Sequence, residues 1–185
     1  GYWVGKLRGG IDLRLSGSGN VGATNALRTQ GKMFALAVLM VDAIKGVLAV
    51  LVLPVLPGLS VAEAWSNWEP YLYGVAVTVG HIYPVWFRFK GGKGVATTLG
   101  VLLAGFWPVG IAACATWLLA AAVFRMSSLA ALAALVAAPF YAYAMGSKPM
   151  ALAAAILAVL SVIRHHANIR RILKGEEPRI GAKKD

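Results

Sequence analysis

Apolar runs of roughly 15–24 residues recur from Met33 to Ile163, separated by short polar segments. In lipid, the backbone N–H and C=O groups of such a run must pair within the segment, which a helix achieves and an isolated strand does not. The recurrence predicts an all-α, polytopic integral membrane helical bundle, with residues 1–185 forming one membrane-embedded domain. Composition agrees: 59% of the residues are hydrophobic, against about 45–50% in a soluble domain.

The breaks define the spans. Gly1–Leu7 reads as the tail of a first helix whose beginning is missing. Gly9–Lys32 is dense in Gly, Ser and Asn, which argues irregular backbone with a helix starting near Ala23. Met33–Leu56 is a strong span, closed by Pro54 and Pro57. Gly58–Pro70 carries Glu63, Trp65, Trp68 and Glu69 but no Lys or Arg, which suits an outer face. Tyr71–Phe87 is the next span. Val95–Phe124 is too long for one comfortable crossing and is interrupted by FWPVG at Phe106–Gly110, so it crosses either once or twice, in the second case as two short helices joined at Trp107–Gly110. Spans at about Ser128–Met145 and Pro149–Ile163 follow. Their alanine-rich stretches, Leu129–Ala138 and Ala151–Ala158, suit close helix packing.

Charge selects the topology. The net charge is +11, from 18 Lys+Arg against 7 Asp+Glu. In a soluble protein that would suggest nucleic acid. In this chain the positive-inside rule and anionic lipid headgroups account for it, and no nucleic-acid partner is expected. With two crossings in Val95–Phe124, the cytoplasmic side collects Lys6, Arg8, Arg14, Arg28, Lys32, Arg88, Lys90, Lys93, Arg125 and the basic run Arg164–Lys174. Lys148 stays outside and Lys45 lies within a span. The result is seven transmembrane helices, the first truncated. Three segments then converge on the cytoplasmic face: Gly9–Lys32, Arg88–Thr98 and Arg164–Asp185. The lone Cys114 rules out an intrachain disulfide.

Each of these segments holds residues that a plain loop does not need. In His81–Gly100, Gly91, Gly92 and Gly94 surround Lys93. Glycines let successive N–H groups converge on an anion, and a helix starting near Val95 would add its dipole. A flexible connector is the alternative. The stretch is not a Walker A loop, because Phe87 and Gly94 stand where glycine and Ser/Thr are required. The first loop offers Ser16, Ser18, Asn20, Thr24, Asn25 and Arg28 as donors, with a helix-capping turn as the alternative. His165 and Asn168, three apart, share a helical face, whereas His166 points about 100° away. A histidine can take a proton near neutral pH and an asparagine can orient a partner. Headgroup contact is the plainer role. His81 reads as structural. Asp42 and Lys45, at i and i+3 deep in a span, are either a packing ion pair or part of the site. No HExxH, Cys/His cluster, GxSxG or HxxxxD pattern occurs, so metal-dependent and serine-hydrolase chemistry and the common CoA-dependent acyltransferase signature find no support.

Taken together, Ser18–Lys32 (SGNVGATNALRTQGK), His81–Thr97 (HIYPVWFRFKGGKGVAT) and Arg164–Ile180 (RHHANIRRILKGEEPRI) resemble the motifs of the bacterial membrane glycerol-3-phosphate acyltransferases that use acyl phosphate, the PlsY family. Order, spacing and the intervening apolar spans all fit. Val21, His166, Ala167 and Glu176 depart from the residues usual at those positions. The resemblance implies transfer of a fatty acyl group from acyl phosphate to the 1-hydroxyl of sn-glycerol 3-phosphate, giving lysophosphatidic acid and phosphate, the first step of membrane phospholipid synthesis. It implies a bacterial inner-membrane location with the site on the cytoplasmic side. It also implies no cofactor, no metal, and a functional link to the soluble enzyme that makes acyl phosphate. Carried onto this chain, Ser18, His165 and Asn168 are catalytic. Arg28, Lys90, Gly91, Gly92, Lys93, Gly94, Asn20 and Asn25 bind substrate, and Glu177, Asp42 and Lys45 are structural. A substrate phosphate is the alternative base to His165. The acyl chain would lie between helices. A small transporter or binding protein for an anionic metabolite is the alternative function, but the internal repeats it would favour are not evident.

Overall fold

The computed structural model describes residues 1–7, 9–56, 58–59 and 66–181. Arg8, Pro57, Glu63, Trp65 and residues 182–185 therefore lie outside the described residues. Those described contain nine α-helices and no strand: α1 (Tyr2–Leu7), α2 (Ala23–Gln30), α3 (Lys32–Leu51), α4 (Glu69–Ile82), α5 (Val95–Gly105), α6 (Trp107–Phe124), α7 (Ser127–Ala144), α8 (Lys148–Arg164) and α9 (His166–Leu173).

The helix ends follow local chemistry. Proline occupies the first turn of α4, α6 and α8, where its missing N–H costs nothing. The α4 helix stops at Ile82, short of the expected Phe87, because Pro84 disfavours helical geometry just before it. A 3-10 turn at Val85–Phe87 follows. The break expected at Trp107–Gly110 lies instead at the extended Phe106, and those residues open α6. Gly110 sits against the backbone of Leu103, so α6 folds back along α5.

Among the described residues three helices are long and apolar enough to cross a membrane: α3 with its 3-10 extension to Val55, α6 and α7. The bent pair α8–α9, with a 64° angle at His165, makes a fourth if counted as one span. The 11 residues of α5 rise roughly 16 Å, about half a hydrocarbon core. The outer surface carries large apolar side chains such as Leu118, Phe140 and Val159, whereas much of the interior of α7 and α8 is alanine. Packing small residues inside and bulky ones outside is the arrangement suited to lipid.

The α3 and α5 helices pack backbone to backbone. A methyl on Gly46 would strike the Thr97 carbonyl, and one on Gly100 would strike the Ala43 carbonyl. Backbone cannot step aside as a side-chain tip can. Gly46→Val or Gly100→Val is therefore expected to cost about 1–3 kcal/mol and to lower the midpoint of thermal unfolding in detergent.

Candidate active site

The polar junctions gather at one end of the bundle around a cavity of about 620 Å³. Its polar part is lined by Ser18, Asn20, Arg28, Lys93, Ser127, Ser128, His165, Asn168, Arg171 and Glu177, and its apolar part by Leu36, Leu39, Leu99, Trp117 and Leu118. The three segments expected to converge do meet here. A fourth, Arg125–Ser128 from the end of α6 into the first turn of α7, joins them: Thr24 and Ser127 hydroxyls lie 2.9 Å apart, and the Arg125 guanidinium donates to the Ile180 carbonyl at 3.2 Å.

One hydrogen-bonded chain organises the polar end. Lys93 Nζ donates to Asn168 Oδ1, and Asn168 Nδ2 donates to Glu177 Oε1 at 2.6 Å. Ser128 Oγ donates to the same oxygen at 2.6 Å. Arg171 Nε donates to Glu177 Oε2 at 2.7 Å. Glu177 is buried. Burial opposes its ionisation, but the hydrogen bonds from Ser128, Asn168 and Arg171 outweigh that and hold its pKa below the usual glutamate value. The carboxylate thereby fixes which way the Asn168 amide points: its nitrogen toward Glu177, its oxygen toward Lys93. Burial, with the Arg171, Arg28 and Arg164 charges, brings the Lys93 ammonium down to about 8 against the pull of Glu177.

His165 does not lie within a helix as its spacing to Asn168 suggests. It occupies the bend between α8 and α9, and the bend keeps both side chains on the cavity. His165 is 2% exposed. Its Nδ1 lies 2.8 Å from the Ser161 carbonyl, an acceptor only, so Nδ1 carries the proton and Nε2 keeps its lone pair. Burial, then the Lys93 charge, lowers its pKa to about 4. The imidazole is neutral at physiological pH.

The glycine run has a different geometry from a free anion nest. Gly91 N–H donates to the Ile82 carbonyl and Gly92 N–H to the His81 carbonyl, at 3.2 and 3.1 Å. These glycines are pressed onto the end of α4: a methyl on Gly91 would meet the His81 and Ile82 carbonyls, and one on Gly92 the His81 imidazole. Of the three glycines only Gly94 lines the cavity, with φ at +81°. Lys90 is exposed and stands apart from the cavity lining. The donors turned toward the cavity are Lys93 and the opening amides of α5, which have no intrahelical acceptor.

In the first loop Asn25 is buried and directs its amide inward. Nδ2 faces the carbonyls of Leu13, Ser16 and Asn20, and Oδ1 accepts from Ser18 N–H at 2.9 Å. Its amide shapes the loop, and the loop presents Ser18 and Asn20 to the cavity. Asn20 Oδ1 accepts from Gly22 N–H at 3.1 Å. Arg28 Nη2 reaches the Pro178 carbonyl at 3.4 Å.

Lys45 Nζ and Asp42 Oδ1 pair at 2.7 Å. His81 completes this cluster: its Nδ1 contacts Lys45 Nζ and lies 3.6 Å from Asp42. Among the described residues no group of three His, Cys, Asp or Glu gathers as a metal would require. Sequence reasoning missed Ser128 and Arg171. The one available signal was Glu177 itself, since a carboxylate in an apolar bundle needs donors.

The family model for glycerol-3-phosphate acyltransferase matches residues 1–175. The glycerol-3-phosphate acyltransferase of Rhodospirillum rubrum is 55% identical, covering 97% of this chain and 83% of the relative. That of Paramagnetospirillum magneticum is 52% identical, covering 97% and 85%. The crystal structure of PlsY (YgiH), an integral membrane glycerol 3-phosphate acyltransferase, in its glycerol 3-phosphate form superposes with a TM-score of 0.85 at 36% identity, covering 97% of this chain and 88% of that one. Its lysophosphatidic acid form superposes with a TM-score of 0.84 at the same identity. On sequence, fold and a shared membrane architecture, this chain belongs to the glycerol-3-phosphate acyltransferase family of integral membrane enzymes.

Proposed function

We propose that this acyltransferase moves a fatty acyl group from acyl phosphate to the 1-hydroxyl of sn-glycerol 3-phosphate, releasing lysophosphatidic acid and phosphate. The observation that carries the reading is one cavity whose polar end, with Arg28, Lys93 and Arg171, continues into an apolar end. One donor with a phosphate head and an acyl tail fits both parts at once, and the polar end has room for a second phosphate. The glycerol 3-phosphate and lysophosphatidic acid forms of the solved relative support the acceptor and product.

The chemistry asks little of the protein. Phosphate is a good leaving group, so no covalent enzyme nucleophile is needed. The glycerol oxygen attacks the acyl carbon, the acyl–phosphate C–O bond breaks with its electron pair going to phosphate, and the hydroxyl proton passes by way of His165 Nε2 to the departing phosphate. His165 Nε2 accepts a hydrogen bond from the attacking hydroxyl, and Lys93 and Arg28 offset the phosphate charge. Asn168 holds Lys93 in place. We place the cavity at the cytoplasmic side of a bacterial inner membrane crossed seven times, as the distribution of Lys and Arg directs.

Purified protein in detergent, given glycerol 3-phosphate, is expected to make lysophosphatidic acid from acyl phosphate and none from acyl-CoA. Activity with acyl-CoA alone would overturn the donor assignment. The Lys93 pKa predicts a further property. As pH rises through about 8 the ammonium loses its proton, so kcat/KM falls on that side. Lys93→Arg stays charged, and its profile should lack that alkaline limb.

A further inference from the structure

The cluster on α3 and α4 has no part in the chemical step above, yet Asp42 and His81 line the same cavity and His81 touches the element that carries Lys93. We propose that His81 is a positioning residue: its imidazole is the stop against which Gly92 is seated, and so it sets where Lys93 meets Asn168.

Four observations meet at this point. The side chain of His81 is 8% exposed and is held from behind by Lys45 and Asp42. Its ring faces Gly92 so closely that a methyl there would fall on Nε2. Its carbonyl accepts the Gly92 N–H at 3.1 Å, which ties backbone and ring to the same residue. The next residue after Gly92 is Lys93, whose Nζ reaches Asn168. The turn leading into the run is also tightly wound: Arg88 and Phe89 both have positive φ, 51° and 61°, a conformation that non-glycine residues rarely adopt and that surrounding structure must enforce. The run therefore cannot slide freely along α4. The imidazole in front of Gly92 leaves no space for a side chain at that position.

This inference rests on the acyl-transfer reading, and wild-type lysophosphatidic acid synthesis, measured first, tests that reading separately. Gly92→Ala should lower kcat/KM at least tenfold by pushing the run off the ring. It should also raise the inhibition constant of inorganic phosphate, the probe for the Lys93–Asn168 grip, which a defect confined to folding would leave unchanged. Combining it with His81→Ala removes the obstacle. The double variant should recover at least tenfold over Gly92→Ala alone, with the phosphate inhibition constant returning toward wild type. If Gly92→Ala yields no folded protein, the same pairing predicts that monodisperse protein returns in the double variant. A double variant no better than Gly92→Ala, in activity or in recovery of folded protein, overturns the proposal.

Discussion

His165→Ala is expected to lower kcat by about 100-fold or more while leaving both KM values within a few-fold of wild type. The reason lies in how the ring is held. Nδ1–H is committed to the Ser161 carbonyl, which fixes the tautomer and aims a neutral Nε2 into the cavity. That nitrogen engages the hydroxyl most strongly as the oxygen attacks and its proton becomes acidic. An interaction made mainly in the transition state appears in kcat rather than KM. A loss confined to KM would make His165 a binding residue instead. Initial rates with each substrate varied separate the two.

Glu177→Ala is expected to damage both the fold and the site. It leaves Ser128 Oγ, Asn168 Nδ2 and Arg171 Nε without their shared acceptor. The two buried donors stranded in this way, on Ser128 and Asn168, cost about 1–3 kcal/mol each, whereas the Arg171 side chain, 40% exposed, can turn to water. Asn168 is then anchored by Lys93 alone, its amide loses the partner that fixed its position, and kcat/KM should fall by about 100-fold, near 2.7 kcal/mol of transition-state stabilisation. The sign of the pH effect follows from the lowered Glu177 pKa. Its contribution to stability is present above the unfolded-state value and is lost as pH falls through the folded-state value. Thermal unfolding of wild type should therefore lose stability on acidification in that window, and Glu177→Gln should flatten the dependence.

Much of this was legible in the residues. The apolar runs announced the helices, and Pro108 and Gly110 announced that Val95–Phe124 is a hairpin, although the turn lies at Phe106, just before the proline. The excess of Lys and Arg brought the right loops together. What was not legible is how each glycine and amide is used. Gly91 and Gly92 look like open donors because sequence shows flexibility and not the neighbour. Only the crossing of the run over α4 reveals that their N–H groups are spent on Ile82 and His81. Asn25 does line the cavity, but sequence does not show that its amide also holds three loop carbonyls. Ser128 looks like a helix-start residue, and its contact with Glu177 spans 49 positions, a separation that local pattern does not encode. The bend at His165 preserved the expected partnership with Asn168 by a route that helical periodicity does not describe.

The central claim is that one cavity holds both phosphate substrates together and that the acyl group passes directly between them. Initial rates measured over a grid of acyl phosphate and glycerol 3-phosphate concentrations test it most directly. Intersecting double-reciprocal lines are expected, with no exchange of labelled inorganic phosphate into acyl phosphate when glycerol 3-phosphate is absent. Parallel lines accompanied by that exchange would show an acyl-enzyme intermediate and contradict it.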